Sequence, residues 1–269
     1  MISLAALSVA YGDSRRALDG VDLSIAPGER VALIGPSGAG KTTLLRVIGA
    51  NLRPTRGQLQ LDGLDPWALS ARQLQGLRAH IGKMYQAPPI PPRQRVITAV
   101  LAGRLGQWPL WRAVASLVYP LDIDGARAAL APLGLAERLF DRCDQLSGGQ
   151  LQRVALARLF YQQPQLVLAD EPVSALDPTL ARSVAVALNE DAKRREATLI
   201  ASLHAVELAL SEFSRVIGLR EGRIVFDRPA AQVRSADIDA LYAGASNPAA
   251  SAESSLDAPS AKPRLTRCA

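Results

Sequence analysis

Apolar and polar positions along the chain alternate in two distinct rhythms. Ile2 to Val9 is rich in apolar side chains, and Leu23 and Ile25 alternate with Asp22 and Ser24, the two-residue period of a half-buried strand. Pro27-Gly28 turns the chain, and Arg30 to Ile34 (RVALI) reads as a short buried-type strand bounded by glycine. The spacing predicts a helix from near Lys41 to about Gly49, then strands over Gln58–Leu61 and Ile81–Tyr85. From about Ala87 to Gln163 the strand pattern stops. A proline-rich entry at 87–92 leads into Ala/Leu/Arg periodicity of helical type, so residues 87–163 read as a helical insertion. Strand and helix then alternate again, with strands at Gln165–Ala169, Thr198–Ser202 and Arg215–Leu219. Helices are expected near 179–194 and 205–212. This order predicts an α/β fold with a mainly parallel sheet covered on both faces, antiparallel β strands near the N-terminus and a helical insertion.

Composition narrows the picture modestly. The chain has 269 residues, 48% hydrophobic and 21% charged, which suits one or two globular domains and excludes a collagenous or wholly disordered chain. No run approaches the ~18 apolar residues of a membrane-spanning helix, and the first residues lack the basic start of a signal peptide. A cytoplasmic chain is the expectation. Cys143 and Cys268 lie outside any Cys/His cluster, so neither a disulfide framework nor a zinc site is expected. The net charge of +6 permits an anionic partner without choosing one. Residues 1–244 read as the folded domain. Residues 245–269 hold few large apolar side chains and are expected to be disordered.

Three motifs carry chemistry. Gly35-Pro36-Ser37-Gly38-Ala39-Gly40-Lys41-Thr42 satisfies GxxxxGK[ST] between a strand and a helix, with roughly 0.002 probability of arising by chance in this composition. Its glycines let successive backbone N–H groups face one anion at a helix N-terminus. Lys41 can reach the β- and γ-phosphates, and the Thr42 hydroxyl can ligate Mg²⁺. With Thr43, residues 35–43 form the expected nucleotide cradle. Leu166 to Ala169 delivers Asp170 and Glu171 at a strand's C-terminal end, the ligand-binding edge of a parallel sheet. Asp170 is the expected Mg²⁺-side carboxylate and Glu171 the general base for water. Leu146-Ser147-Gly148-Gly149-Gln150 precedes an amphipathic helix, with Ser147 as its N-cap. Alone, this segment fits either a second phosphate site or a simple cap.

In this order the motifs resemble the ATP-binding cassette (ABC) ATPases, over about residues 2 to 242. The resemblance implies a P-loop NTPase core with ATP and Mg²⁺ as ligands. It makes Tyr11 the aromatic that stacks on adenine and Gln86, at the end of IGKMYQ, a contact to Mg²⁺ and the attacking water. Ser174-Ala175-Leu176-Asp177 becomes the loop running between two sites of a dimer. His204, after TLIAS, becomes the switch histidine at the γ-phosphate; His80 falls at no motif. Ser147, Gly148, Gly149 and Gln150 would face the phosphate loop of a second copy. One copy of each motif per chain thus implies a homodimer around two nucleotides.

Residues 98–112, 143–150, 168–178, 203–210 and 217–227 resemble the phosphonate-import ATP-binding family. This implies permease partners, an indirect periplasmic binding protein, and a place on the cytoplasmic face of the inner membrane. Two departures stand out: the proline cluster 87–92, and Ala205 where that family usually has Gln. An exporter or lipoprotein-release ATPase, or an importer of another small polar solute, is the competing reading. Nucleic acid is not an expected partner, since tandem cassettes, a coiled-coil insert and zinc motifs are missing. Trp108 and Trp111 fit either a permease contact or packing within the insertion.

Overall fold

The computed structural model describes residues 1–12, 15–174 and 176–243, without the side chains of residues 15 and 117. The expected tail, residues 245–269, and the end of the expected domain, residue 244, lie outside these residues.

Two sheets form the frame. Strands β1 (Ile2–Tyr11), β2 (Arg15–Ile25) and β4 (Arg56–Leu61) make an antiparallel sheet in the order β2-β1-β4. The second sheet has the order β5-β6-β7-β3-β8-β9. In it β5 (Ile81–Met84), β6 (Leu166–Asp170), β7 (Thr198–Ser202), β3 (Arg30–Ile34) and β8 (Arg215–Arg220) run parallel. Strand β9 (Arg223–Pro229) closes the edge antiparallel to β8.

The apolar runs read as central strands for a physical reason visible in β3. Val31 and Leu33 enter one core and Ala32 and Ile34 the other, all fully buried, because successive side chains point to opposite faces. Full burial of each larger side chain contributes roughly 1.5–3 kcal/mol. One core lies under α1 (Lys41–Ile48) and the antiparallel sheet. The other joins α3 (Val96–Leu101), α5 (Ile123–Leu130), α6 (Gly148–Gln162) and α7 (Pro178–Arg194).

Between β5 and β6 the described residues form no named strand, as the helical insertion requires. Its helix α4 (Leu110–Val118) is unusual. Leu110, Trp111, Val114 and Val118 are exposed, whereas Ser116 is buried. The two tryptophans therefore part company. Trp108 packs edge-on against Tyr161, with the Arg112 guanidinium over its ring, while Trp111 is 72% exposed.

Several elements have no counterpart in the sequence reading. Helix α2 (Ala71–Ala79) buries none of its residues, so no apolar stripe marks it; the Ser70–Gln73 capping box at its start is the available signal. Strand β9 and α9 (Ser235–Tyr242) also went unmarked, while α8 (Val206–Glu212) falls where expected.

Candidate active site

The phosphate loop joins β3 to α1 at the C-terminal edge of the parallel sheet. Glycine is required at two of its turns. Gly35 has φ +148°, and a Cβ there would lie 2.0 Å from the Leu219 carbonyl oxygen; Gly40 has φ +107°, with the Ala17 carbonyl oxygen 2.5 Å from its virtual Cβ. The loop is braced from β8–β9, because Gly222 N–H donates to the Ala39 carbonyl at 3.0 Å. Around it opens a cleft of about 440 Å³ lined by Tyr11, Ala17, residues 37–43, Arg46 and Glu171.

Lys41 is 5% exposed. Its ammonium donates to the carbonyls of Gly35 at 2.7 Å and Pro36 at 3.2 Å. Burial pulls its pKa below the usual lysine value, and the charges of Glu171 and Asp170 act in the opposite sense. Thr42 Oγ1 donates to Asp170 Oδ1 at 3.1 Å, so helix and strand motifs meet at one oxygen. Ser202, at the end of β7, donates to that same Oδ1 at 2.8 Å.

Glu171 follows β6 with φ +48°, in the left-handed region. Its backbone N–H donates to Ser202 Oγ at 2.9 Å, and its Oε1 meets His204 Nε2 at 2.5 Å. Glu171 also borders a second cleft, about 650 Å³, with Ser174, Leu176, Ser202 and His204. Chemically, these groups can hold a polyphosphate, present oxygen donors to a hard cation, and offer a carboxylate base to water. The donor set fits Mg²⁺, with one hydroxyl and one carboxylate oxygen gathered beside the cradle.

Other expected residues stand apart from the phosphate-loop cleft. Strand β5 ends at Met84, so Gln86 is exposed two residues beyond it rather than at its end. Ser147 caps α6, accepting from Gln150 N–H at 3.3 Å while Gln150 Oε1 accepts from Ser147 N–H. No residue from 147–150 lines the cleft. Asp177 caps α7 through Leu180 N–H, with Pro178 as the first helical residue. Ser174 is exposed and donates to the Glu171 carbonyl, Leu176 packs against the core, and Ala175 lies outside the described residues.

Sequence reasoning missed two buried polar residues. Gln152, 5% exposed, donates to the Pro172 carbonyl at 2.7 Å and to that of Tyr85 at 3.4 Å. It ties α6 to segments beside Glu171 and Gln86. Ser202 is fully buried. Neither carries a linear motif; only the packing of α6 and β7 on β6 reveals them.

A phosphate loop between a parallel strand and a helix, with paired carboxylates at the end of a strand one place beyond the neighbouring one in the same sheet, defines a P-loop nucleotide-binding protein. The comparisons narrow this class. Residues 18–174 match the ABC transporter family. The chain is 62% identical over 242 residues to the phosphonates import ATP-binding protein PhnC 2 of Pseudomonas aeruginosa, covering 90% of this chain and 91% of that one. It is 57% identical over 243 residues to a phosphonates import ATP-binding protein of Cupriavidus necator, covering 90% and 87%. A solved dimeric ATP-binding cassette in a post-hydrolysis state, bound to ADP and Pi, aligns with TM-score 0.72 and 28% identity. That alignment covers 86% of this chain and 99% of that one. The structure of cbiO1 from Clostridium perfringens, part of the ABC transporter complex cbiONQ, shares the fold at TM-score 0.73 and 24% identity, covering 90% of this chain and 93% of that one. The chain belongs to the ABC transporter family.

Proposed function

We propose that this chain is the ATP-hydrolysing subunit of an importer for phosphonate or a related oxyanion. The observation that carries the catalytic reading is the convergence of Lys41, Thr42, Asp170, Glu171 and His204 through direct hydrogen bonds or a shared cleft. The solute reading rests on identity of about 60% to phosphonates import proteins over 90% of the chain.

In this reading residues 35–43 cradle the phosphates of ATP, with Lys41 leaving its carbonyl partners for the β- and γ-oxygens. Tyr11, 46% exposed at the cleft's rim, stacks on the base. Thr42 and Asp170, with Gln86, would hold Mg²⁺, which would supply positive charge against the phosphates. Glu171 takes a proton from water as its oxygen attacks the γ-phosphorus and the bond to the β–γ bridging oxygen breaks. His204 orients the Glu171 carboxylate and reaches the γ-phosphate.

Ser147 to Gln150 complete the site of a second copy. Their absence from the cleft of their own chain supports action in trans, as does the dimeric state of the aligned cassette. Residues 174–177 then run along the interface between the two sites. Residues 1–244 act as the cassette and 245–269 as an appended tail. Among the described residues no helix is long and apolar enough to cross a membrane, so the transport path belongs to partner permeases. The outward apolar stripe of α4 suits a partner surface, with the cassette peripheral on the cytoplasmic face of the inner membrane.

The test deletes this gene in a strain with no redundant transporter. Growth on an alkylphosphonate as sole phosphorus source is compared with growth on orthophosphate. Loss of growth on phosphonate alone is the expected result. Unchanged phosphonate uptake would reject the solute and leave the ATPase reading standing.

A further inference from the structure

Segment 202–204 grips Glu171 at two points. Ser202 Oγ accepts from its backbone N–H at 2.9 Å, and His204 Nε2 meets its carboxylate at 2.5 Å. The β6–β7 register sets Asp170 opposite Ser202, so the Ser202 hydroxyl proton goes to Asp170 Oδ1 at 2.8 Å. One fully buried hydroxyl therefore donates to one carboxylate and accepts from the next residue. Thr42 donates to the same Oδ1 at 3.1 Å, which joins this pair to the first turn of α1.

Between Asp170 and Ser174 the backbone must bend sharply. Glu171 makes the bend with φ +48°, a conformation that L-residues other than Asn and Asp seldom adopt without support. The bend keeps its side chain on the phosphate-loop cleft. Released from Ser202, the N–H of Glu171 loses its partner and nothing on β7 holds the left-handed turn.

We propose that Ser202 is a positioning residue for ATP hydrolysis: its hydroxyl orients Asp170 and fixes the backbone turn that aims Glu171 at the cleft. The proposal rests on the ATPase reading given above. It requires the hydroxyl itself, because alanine retains most of the packing and removes both hydrogen bonds. Ser202→Thr keeps the hydroxyl and suits a strand position.

The experiment measures kcat, the KM for ATP, equilibrium affinity for ATP and thermal unfolding in the full-length chain and its Ser202→Ala, Ser202→Thr and Ser202→Cys variants. Ser202→Ala is expected to lower kcat about 10- to 100-fold, the scale of a misplaced catalytic group. KM and ATP affinity stay within about threefold, because Lys41 and the loop are untouched. Ser202→Thr is expected to restore kcat to within about threefold of the parent. Ser202→Cys, a weak donor of similar size, is expected to lose kcat in the same manner and serves if Ser202→Ala fails to fold.

Parental kcat in Ser202→Ala or Ser202→Cys overturns the proposal. So does a loss spread equally over kcat and ATP affinity, or one that threonine does not restore, since packing would then explain it. A parent chain that binds ATP without turnover overturns the ATPase reading and this proposal with it.

Discussion

Glu171→Gln isolates one function of the site. The substitution keeps side-chain length and shape. It leaves the φ +48° turn, the Ser202 contact to the backbone N–H and an oxygen able to face His204. Lys41, Thr42 and Asp170 keep their contacts. What disappears is basicity, because an amide does not accept a proton near neutral pH. A lost general base costs about 10²- to 10⁴-fold, or roughly 2.7–5.4 kcal/mol at 1.36 kcal/mol per tenfold. Nucleotide affinity should change little, since the residue borders the cleft and does not form the cradle. The assay pairs phosphate release under saturating ATP and Mg²⁺ with equilibrium binding of a fluorescent nucleotide. Light scattering of the variant with ATP should reveal a dimer, because the closed state is no longer relieved by hydrolysis. Hydrolysis within about threefold of the parent would refute the role of Glu171, whatever the binding result.

Lys41→Ala should weaken nucleotide binding and hydrolysis together, measured by the same two assays, because it removes the buried ammonium at the phosphate loop. Chains carrying Lys41→Ala mixed with chains carrying Ser147→Arg should regain part of the ATPase rate. Each heterodimer holds one intact composite site; an ATP-bound Glu171→Gln chain that stays monomeric would contradict the dimer underlying this result. Lys83, half-buried beside Arg78 and donating to the Gly49 carbonyl, has its pKa lowered by burial and by Arg78 to about 8. Between pH 8 and 10.5 the unfolded chain retains a proton that the folded chain has released. Stability relative to Lys83→Met should therefore rise with pH across that window, by up to about 1.4 kcal/mol per pH unit for one proton. Urea unfolding of both chains checks this, and a pH-independent difference would count against it.

The linear motifs were legible because their chemistry is local. A phosphate loop needs glycines and a lysine within eight positions, and β6 announces Asp170 and Glu171 by the apolar run before them. The parallel sheet was legible too, since strands buried on both faces carry unbroken apolar runs, as Val31–Ile34 in β3 and Leu199–Ala201 in β7 do. Helix α2 escaped notice because it buries nothing, and Gln86 was placed at a strand end although β5 stops at Met84. Helical periodicity in the insertion left Trp108 and Trp111 equivalent; packing on Tyr161 separated them.

By itself, the sequence determined the class of the protein, the strand–helix alternation of its parallel sheet and most residues around the phosphate loop. Spacing along the chain is enough to specify a cradle built from consecutive backbone N–H groups. Only the tertiary structure decided how residues 32 positions apart, Asp170 and Ser202, share a hydrogen bond. It alone brought Gln152 to Pro172 and Tyr85, and placed the Leu219 carbonyl where any side chain at Gly35 would collide with it. These are contacts between separate strands, helices and loops. They depend on strand order and register, which hydrophobic periodicity leaves open because any arrangement that buries the same faces satisfies it.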